Sequence, residues 1–474
     1  MSGLLNQGVL ALAGAYRAGA ASPVEVMEAV FSQLDQVEPT LNAFQLVDRD
    51  AAMADAQAAA RRWASDQARG PLDGVPISIK DIVAVQGWPT RSGSRATDAS
   101  PNAEDCPPVA RLREAGAVLF GKTTTPEFGW KGMTDSPLAG VTRNPWDPRR
   151  TPGGSSGGAA AAVAVGLGPL ALGSDGGGSI RIPASFCGVV GFKPTFGRVA
   201  SAPMRSPYST VTSCGPIARS VADCAAMMNV LAKPDTRDWH ALPADGCDYV
   251  STLGAGVEGV RVGVSLSLGG IEPNQDIAMA VQTACASLDD VGCQVRELGA
   301  VIEPLRDAFE ALWLLGFAFR VSQIPQADWS VLDPGLLALA KQGMALGLAD
   351  HQASDLARMR LGEQFAVLHQ DVDILITPTM PRTPPLASVD YASEDNDRWR
   401  DGAPYTLPFN LTGQPAISIP CGLDAAGMPV GLQIVGAKYQ DALVLRVANA
   451  LEAGLGRESH VDSLVERLAE AGPK

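Results

Sequence analysis

Alternating helix and strand signals in this chain predict an α/β fold. An alanine-rich helix at 158–166 is followed by an apolar strand at 170–173, which runs into a glycine-rich loop. The alternation returns with a strand at 261–264, a helix at 276–291 and a strand at 294–298. Strand–loop–helix crossings of this kind are typical of α/β proteins.

The other predicted elements, in chain order, begin with a helix near the N-terminus. Ser22, Pro23 and Glu25 form a capping-box pattern with proline at the first helical position. Apolar residues then follow at helical spacing until Pro39, where we expect the helix to end. The next elements are a helix at 50–68, a strand at 75–80, a helix at 109–115 and a strand at 117–120. In the last third of the chain, several helices up to His369 are followed by strands at 374–377, 416–420 and 431–435.

Composition excludes several classes of protein. Of 474 residues, 46% are hydrophobic and 19% are charged, as in a globular protein with a large core. The net charge of −14 is not offset by any basic stripe, which argues against a nucleic-acid partner. No apolar run reaches the roughly 18 residues of a membrane span, and the N-terminus lacks the basic start of a signal peptide. We therefore expect a cytoplasmic protein without a membrane partner.

No internal repeat or low-complexity linker divides the chain. We therefore predict a single domain over residues 1–474, with a helical lobe on the substrate side around 300–370. The eight cysteines are scattered without the spacing of a zinc site or a disulfide framework. Reduced, mostly buried thiols and no bound metal are the expectation.

The candidate chemistry concentrates between residues 153 and 183, where two serines lie among glycines. Ser155 lies in GGSSGG, and Ser179 follows the run Gly176-Gly177-Gly178 in DGGGSIRIP. Because glycine has no Cβ, such a run can turn several backbone N–H groups toward one point beside Ser179. Acyl transfer needs this combination of a hydroxyl nucleophile and donors for the oxyanion.

Lys80, at the end of the apolar strand in GVPISIKD, is the natural third partner of the two serines. Successive side chains of a strand point to opposite faces, so Lys80 and Asp81 should not pair with each other. A lysine that ends a buried strand is held inward, where desolvation disfavours its charged form. A serine hydroxyl is a weak nucleophile by itself and needs a base within hydrogen-bond reach.

Two other interpretations of the glycine loops have less support. Gly153-x-Ser155-x-Gly157 matches the nucleophile elbow of α/β-hydrolases with a Ser-His-Asp triad, but the proline-containing segment 146–152 cannot be the central strand that must precede it. The four histidines also lie in ordinary polar or helical contexts. A nucleotide-binding module remains a second alternative, although neither loop has the P-loop pattern or the G-x-G-x-x-G fingerprint.

Taken together, these segments resemble the amidase signature family of serine hydrolases. Lys80 and Ser155 are 75 residues apart, and Ser155 and Ser179 are 24 apart, spacings typical of that family. The resemblance covers most of the chain and is loose between about 240 and 400. Further matching segments are GKTTTPEFG at 121–129, NPW at 144–146, GFKPTFGRV at 191–199, GPIARSVAD at 215–223 and NLTGQPAISIP…GMPVGLQIVG within 410–436.

The resemblance implies a fold and a mechanism. The fold is a large mixed, twisted central β-sheet flanked by helices on both faces. Ser179 would attack the carbonyl carbon and become acylated. Ser155, after a cis Gly154–Ser155 peptide bond, would relay the proton, and neutral Lys80 would accept it. No metal or organic cofactor is implied.

The resemblance also assigns supporting groups in the two loops. The oxyanion hole would consist of the backbone N–H groups of Gly176, Gly177, Gly178 and Ser179. The groups expected to hold the loops are Asp175, Arg181 and Ser156. Gly176 departs from the family, which more often has a larger residue there, and this change would open space beside the acyl group or loosen the loop.

The implied function is hydrolysis of C–N bonds in a small-molecule amide, including aryl amides and carbamates, by a monomer or homodimer. Residues near the presumed pocket favour a bulky apolar or aryl group on the substrate. These residues are Trp130, Met133, Tyr208, Trp313 and Phe317.

The first alternative within the family is an A-type subunit of a glutamyl-tRNA amidotransferase. Such subunits carry an aspartate three residues before the threonine of a TxPxNLxG run, where it reads the amino group of glutamine. Here the run begins at Thr406 and the corresponding residue is Ala403. The basic segment of those subunits is also not apparent before Ile374. A stand-alone amidase is therefore the favoured prediction.

Overall fold

The computed structural model describes residues 2–203, 210–303, 306–387, 403–456 and 459–472. Its strands are β1 Phe44–Val47, β2 Pro76–Lys80, β3 Val118–Thr123, β4 Asp135–Ser136, β5 Gly140–Val141, β6 Leu170–Asp175, β7 Val190–Lys193, β8 Ser213–Ala218, β9 Arg261–Ser265, β10 Gln294–Leu298, β11 Ile374–Pro378, β12 Ala416–Leu423 and β13 Pro429–Gly436.

Eleven of these strands form one sheet in the order β1-β3-β2-β6-β8-β7-β12-β13-β11-β9-β10, and β4 and β5 form a separate pair. Neighbouring strands are parallel in β3-β2-β6 and in β11-β9-β10. The other neighbours are antiparallel. The large mixed sheet implied by the family resemblance is thus confirmed.

Helices account for most of the remaining regular structure. They are α1 Ser2–Leu5, α2 Val9–Ala18, α3 Pro23–Leu41, α4 Arg49–Ala64, α5 Pro107–Glu114, α6 Gly157–Ala164, α7 Arg181–Cys187, α8 Val221–Leu231, α9 Tyr249–Thr252, α10 Gln275–Asp290, α11 Arg306–Ser322, α12 Pro334–Met344, α13 Leu348–Asp371, α14 Leu407–Leu411, α15 Asp441–Gly454 and α16 Val461–Ala471. Within the described ranges, no helix has the length and apolar character needed to span a membrane.

The helices cover both faces of the sheet because the strands present apolar side chains alternately to each face. In β6, Leu170 and Leu172 join the apolar cluster that contains α5, α8, α10 and α15. Ala171 between them joins the opposite cluster, with α3, α4, α6, α7 and α16. In β11, Leu375 packs in a third cluster with α11–α14, on the side opposite Ile374 and Ile376. The α/β fold class is confirmed.

Helix α3 illustrates how local sequence sets its start but not its end. The predicted capping box is present, since the Ser22 N–H donates to Oε2 of Glu25 at 2.8 Å and the Glu25 N–H donates to Oγ of Ser22 at 3.2 Å. The expected end at Pro39 is wrong, because the helix continues to Leu41. It stops at Asn42, which adopts φ +52° and donates its N–H to the Glu38 carbonyl at 2.9 Å.

Helices α11, α12 and α13 lie where the sequence predicts a helical lobe. Their apolar side chains share one cluster that also contains Trp130 from the first half of the chain. All eight cysteines are free thiols, and seven of them are buried. The assignment of the whole chain to a single domain stays a prediction.

Candidate active site

Strands β2 and β6 position the two ends of the candidate site. They are parallel neighbours, with Ile79 paired to Leu172, so their carboxyl ends meet at the same edge of the sheet. Ile77 and Ile79 enter the cluster on one face, which directs Lys80 to the opposite face. Lys80 at the end of β2 therefore comes next to the loop that follows β6.

Lys80 is fully buried and faces hydroxyl groups. Its Nζ lies 2.7 Å from Oγ of Ser155 and 3.0 Å from Oγ of Ser174, and it donates to the Ser174 carbonyl at 3.3 Å. Desolvation lowers the pKa of Lys80 to about 7, although the negative charge of Asp175 acts in the opposite direction. A substantial fraction of this amine is therefore neutral near pH 7.

The neighbouring residue Asp81 is turned away from Lys80, as the strand pattern predicts. Its Oδ1 lies 3.1 Å from Nζ of Lys122, another buried lysine, on the adjacent strand β3. Burial raises the pKa of the Asp81 carboxyl despite the opposing effect of Lys122. Asp81, the carboxylate nearest in sequence to Lys80, thus pairs with Lys122 instead.

Ser155 lies in a tightly packed loop at the start of α6. The Gly154–Ser155 peptide bond is cis, as the family resemblance implies. Oγ1 of Thr134 donates to the Gly153 carbonyl at 2.8 Å and accepts from the Gly157 N–H at 3.1 Å. A Cβ atom on Gly154 would lie 2.6 Å from the Met133 carbonyl oxygen, so no larger residue fits there. The loop is therefore held on both sides of Ser155.

Ser179 follows the glycine run after β6 and has 8% of its surface exposed. Its carbonyl accepts the Ser156 N–H at 3.1 Å, which joins the two serine loops. Oγ of Ser156 donates to the Ser174 carbonyl at 3.2 Å and accepts from the Ser174 N–H at 3.4 Å. Ser156 therefore has the contacts expected of a group that holds the loops together.

Asp175 organises the turn that carries Ser179. Its carboxylate accepts the N–H groups of Gly178 at 2.7 Å and Ile180 at 3.1 Å, and it pairs with Arg181 Nε at 2.9 Å. Asp175 and Arg181 are both fully buried. Burial alone would raise the pKa of Asp175, but the charge and hydrogen bonds of Arg181 hold it well below its usual range.

One of the expected oxyanion donors, Gly178, has another hydrogen-bond partner. The Gly178 N–H points to Oδ1 of Asp175, so it is not available to an oxyanion beside Ser179. In the described part of the chain, the N–H groups of Gly176, Gly177 and Ser179 donate to no acceptor. These three remain as candidate donors.

Only some of the aromatic and apolar residues expected near the substrate lie at the glycine loop. Trp130 is buried, and its carbonyl accepts Nε1–H of Trp313 at 3.3 Å. The Trp313 ring lies 3.3 Å from the position of a Cβ on Gly177, and Phe317 packs edge-on against Trp313 with ring centroids 5.5 Å apart. Met133 is buried against the Ser155 loop, where its backbone makes the close contact. Tyr208 lies outside the described residues.

Three polar residues at the site were not singled out from the sequence. Ser174 contacts Lys80, as described above. Asn410 donates from Nδ2 to the Asp175 carbonyl at 2.9 Å and accepts from Arg181 Nη2 at 2.6 Å. Thr406 donates from Oγ1 to the Gly177 carbonyl at 2.7 Å. Thr406 and Asn410 both belong to the TxPxNLxG run that begins at Thr406, and this run was the available signal for a role at the loop.

Replacing Asp175 with Asn should strongly destabilise the protein. The variant leaves Arg181 buried without its counter-charge, and breaking a buried pair costs about 3–5 kcal/mol of the free energy of unfolding. Urea denaturation followed by circular dichroism measures this loss. Asp35→Asn is the control, because the Asp35–Arg49 pair is exposed and should contribute less than about 1 kcal/mol. Equal stabilities of the two variants would contradict the role given to Asp175.

Comparison with known proteins identifies the family of this chain. A family model described as amidase matches residues 25–445. The chain is 36% identical over 449 residues to an acylamidase of Rhodococcus erythropolis, with 91% of this chain and 92% of the relative covered. It is 35% identical over 483 residues to the A-type subunit of the glutamyl-tRNA(Gln) amidotransferase of Chloroflexus aurantiacus, with coverages of 95% and 97%.

Solved structures show the same similarity. A bacterial aryl acylamidase of the amidase signature family matches with a TM-score of 0.88 and 28% identity, and 98% of each chain is covered. A 6-aminohexanoate cyclic dimer hydrolase in complex with its substrate matches with a TM-score of 0.87 and 30% identity, covering 96% of this chain and 99% of the other.

Proposed function

This chain belongs to the amidase signature family and hydrolyses amide C–N bonds, and on that premise we propose that it is a stand-alone amidase acting on a small amide or carbamate with a bulky apolar or aryl group. Ser179 is the nucleophile, Ser155 the proton relay and Lys80 the base. The observation that carries this proposal is the 2.7 Å distance between Nζ of buried Lys80 and Oγ of Ser155, next to the glycine loop of Ser179.

Acylation begins when Oγ of Ser179 attacks the carbonyl carbon of the substrate. The Ser179 proton passes to Ser155 as the Ser155 proton passes to the neutral amine of Lys80. The carbonyl oxygen becomes an oxyanion, which accepts hydrogen bonds from the N–H groups of Gly176, Gly177 and Ser179. Collapse of this intermediate breaks the C–N bond, and the Lys80 ammonium returns its proton through Ser155 to the leaving nitrogen.

Deacylation repeats the sequence with water as the nucleophile. A water molecule attacks the ester carbon of acylated Ser179 and loses a proton through Ser155 to Lys80. The second oxyanion uses the same N–H donors. Its collapse breaks the ester C–O bond, and the proton returns to Oγ of Ser179. The product that leaves is the carboxylic acid or, for a carbamate cleaved at its C–N bond, the carbonic acid monoester.

Support for an apolar or aryl substrate comes from the side chains next to the glycine loop. The Trp313 ring borders Gly177, and a Cβ on Gly178 would lie 2.9 Å from Cδ1 of Ile182. Ile182 belongs to a buried apolar cluster with Phe186 and Met380, against which Ala403 packs. Apolar walls of this kind favour apolar groups on the ligand. The acylamidase and aryl acylamidase relatives have names in keeping with this choice.

An amidotransferase A-type subunit is the second candidate, because relatives with that name reach 35% identity over 95% of this chain. Against it stands the apolar setting of position 403. Ala403 packs against Ile182, Phe186 and Met380, so it supplies no charge for the ammonium group of glutamine. The stand-alone amidase therefore remains the better-supported proposal.

Activity of the isolated chain distinguishes the two candidates. We expect hydrolysis of a p-nitroanilide or an aryl carbamate and no detectable glutaminase activity, because the pocket lacks a carboxylate at position 403. A panel of a primary amide, a p-nitroanilide, an aryl carbamate, a dipeptide amide and glutamine, assayed for released amine or ammonia, measures this. Glutaminase activity that appears only after partner subunits are added would contradict the proposal.

A further inference from the structure

The peptide unit between Gly177 and Gly178 is held at both of its polar ends. Its carbonyl oxygen accepts Oγ1–H of Thr406 at 2.7 Å. Its N–H donates to Oδ1 of Asp175, also at 2.7 Å. The Ala403 carbonyl lies farther from Oγ1 of Thr406, at 3.3 Å, so the single hydroxyl hydrogen serves mainly the Gly177 carbonyl.

These two bonds fix the orientation of one peptide plane in the glycine run. The C=O and N–H of a trans peptide point in opposite directions within one rigid plane, so fixing both ends fixes the orientation of that plane. Asp175 takes one N–H away from the oxyanion position. The flanking N–H groups of Gly177 and Ser179 belong to the adjacent planes, whose orientation depends on the plane held by Thr406 and Asp175.

Thr406 is also packed tightly against the glycine run. It is fully buried and immediately precedes the short helix α14. A Cβ on Gly178, where φ is +122°, would lie only 2.2 Å from Oγ1 of Thr406. A Cβ on Gly177 would lie 2.8 Å from Cδ2 of Leu407. The side of the loop that faces α14 therefore leaves little room for the Gly177–Gly178 peptide to turn over once its hydrogen bond is present.

We propose that Thr406 is a positioning residue for the oxyanion donors of the amidase reaction, an inference that rests on the function proposed above. Its hydroxyl holds the Gly177–Gly178 peptide with the carbonyl directed to α14, which keeps the Gly177 and Ser179 N–H groups directed at the oxyanion position. Preorganised donors contribute mainly when negative charge develops on the carbonyl oxygen. Loss of the hydroxyl should therefore affect the transition state more than substrate binding.

The test compares Thr406→Val, which removes the hydroxyl at nearly constant volume, with Thr406→Ser, which keeps it. For Thr406→Val we expect kcat on a p-nitroanilide to fall roughly tenfold with little change in KM, less than the 10²–10³-fold loss that follows removal of a donor itself. Affinity for a trifluoromethyl ketone, which forms an oxyanion adduct, should fall by a similar factor, whereas affinity for the carboxylate product should not change. Thr406→Ser should restore both.

Thr412→Val is the matched control, because Thr412 is a threonine at the other end of α14 whose Oγ1 also donates a hydrogen bond, with Oε1 of Gln414 at 2.7 Å and the Pro408 carbonyl at 3.0 Å. It should leave kcat and ketone affinity unchanged. If Thr406→Val does not fold, Thr406→Ala provides a smaller variant that also lacks the hydroxyl. A hydroxyl-free variant with wild-type kcat and ketone affinity would overturn the inference, as would a parallel loss of product affinity.

Labelling with a fluorophosphonate separates this inference from the proposed function. If the wild-type protein is modified at Ser179 and a Thr406 variant has unchanged activity, only the role proposed for Thr406 is contradicted. Wild-type protein that hydrolyses no amide and is not modified at Ser179 would remove the proposed function and the inference with it.

Discussion

Ser179→Ala should lower kcat for amide hydrolysis by on the order of 10⁶-fold, the loss seen when the serine nucleophile of a hydrolase is removed. Oγ of Ser155 lies 2.7 Å from Nζ of Lys80, where it serves as the proposed relay, so we do not expect it to replace Ser179 as the nucleophile. The activity that remains should come from binding and the N–H donors alone. Burst and steady-state kinetics with a p-nitroanilide measure the loss.

Covalent labelling provides the second readout for Ser179. Intact-mass measurement after fluorophosphonate treatment should show one adduct on the wild type and none on Ser179→Ala. Ser185→Ala is the control, because Ser185 is a buried serine on helix α7, which follows the nucleophile. It should label and turn over like the wild type. An adduct that persists in Ser179→Ala would assign the nucleophile to a different residue.

Lys80→Met should lower kcat about 10²–10⁴-fold at neutral pH, the usual contribution of a general base. Because only the neutral amine accepts a proton and the pKa of Lys80 is about 7, wild-type kcat/KM should rise with pH through about 7 and level off above it. The variant should lack this ionisation. The dependence of kcat/KM on pH, measured for both proteins over a range of roughly pH 5.5 to 9 on either side of that pKa, shows the difference. Near-normal kcat in Lys80→Met at neutral pH would remove Lys80 from the mechanism.

The same substitution should not destabilise the fold. Unfolding returns Lys80 from a pKa of about 7 to its ordinary 10.5, so the unfolded chain binds more protons between these values. Stability therefore increases with pH across that range, and burying this lysine at pH 7 is unfavourable. Lys80→Met should have a Tm at pH 7 equal to or above that of the wild type.

Lys122→Met is the matched control for stability, with the opposite expectation. Lys122 is equally buried on the adjacent strand, but it pairs with Asp81 at 3.1 Å. Its removal leaves a buried carboxylate without that counter-charge, so Tm should fall. Thermal unfolding of the two variants side by side measures this contrast. A lower Tm for Lys80→Met than for Lys122→Met would contradict the assignment of Lys80 as a desolvated, neutral base.

Secondary structure was predictable wherever a short segment carries its own signal. The strand at 294–298 was predicted with the bounds that the structure has, and the Ser22 capping box starts α3 as expected. Strand β8 was missed, because Gly215 and Pro216 argue against a central strand. Gly215 is required there by a tertiary contact, since a Cβ would lie 2.2 Å from the Phe192 carbonyl oxygen. The glycine in strand β8 is thus explained by the close approach of the neighbouring strand β7.

The nature of the candidate chemistry followed from local sequence. A lysine at the end of an apolar strand is expected to be buried, and serines among glycines are expected in loops with free backbone conformations. Both expectations need only a few neighbouring residues, so Lys80, Ser155 and Ser179 could be named before any coordinates. Local sequence could not show which N–H groups of the glycine run remain available to bind an oxyanion. Thr406 lies 229 residues from Gly177, Asn410 lies 235 from Asp175, and Gln433, which accepts from Arg181, lies 252 from it. The direction of a peptide plane depends on partners that only the folded chain brings into contact, and for that reason Gly178 and Thr406 were understood from the three-dimensional structure alone.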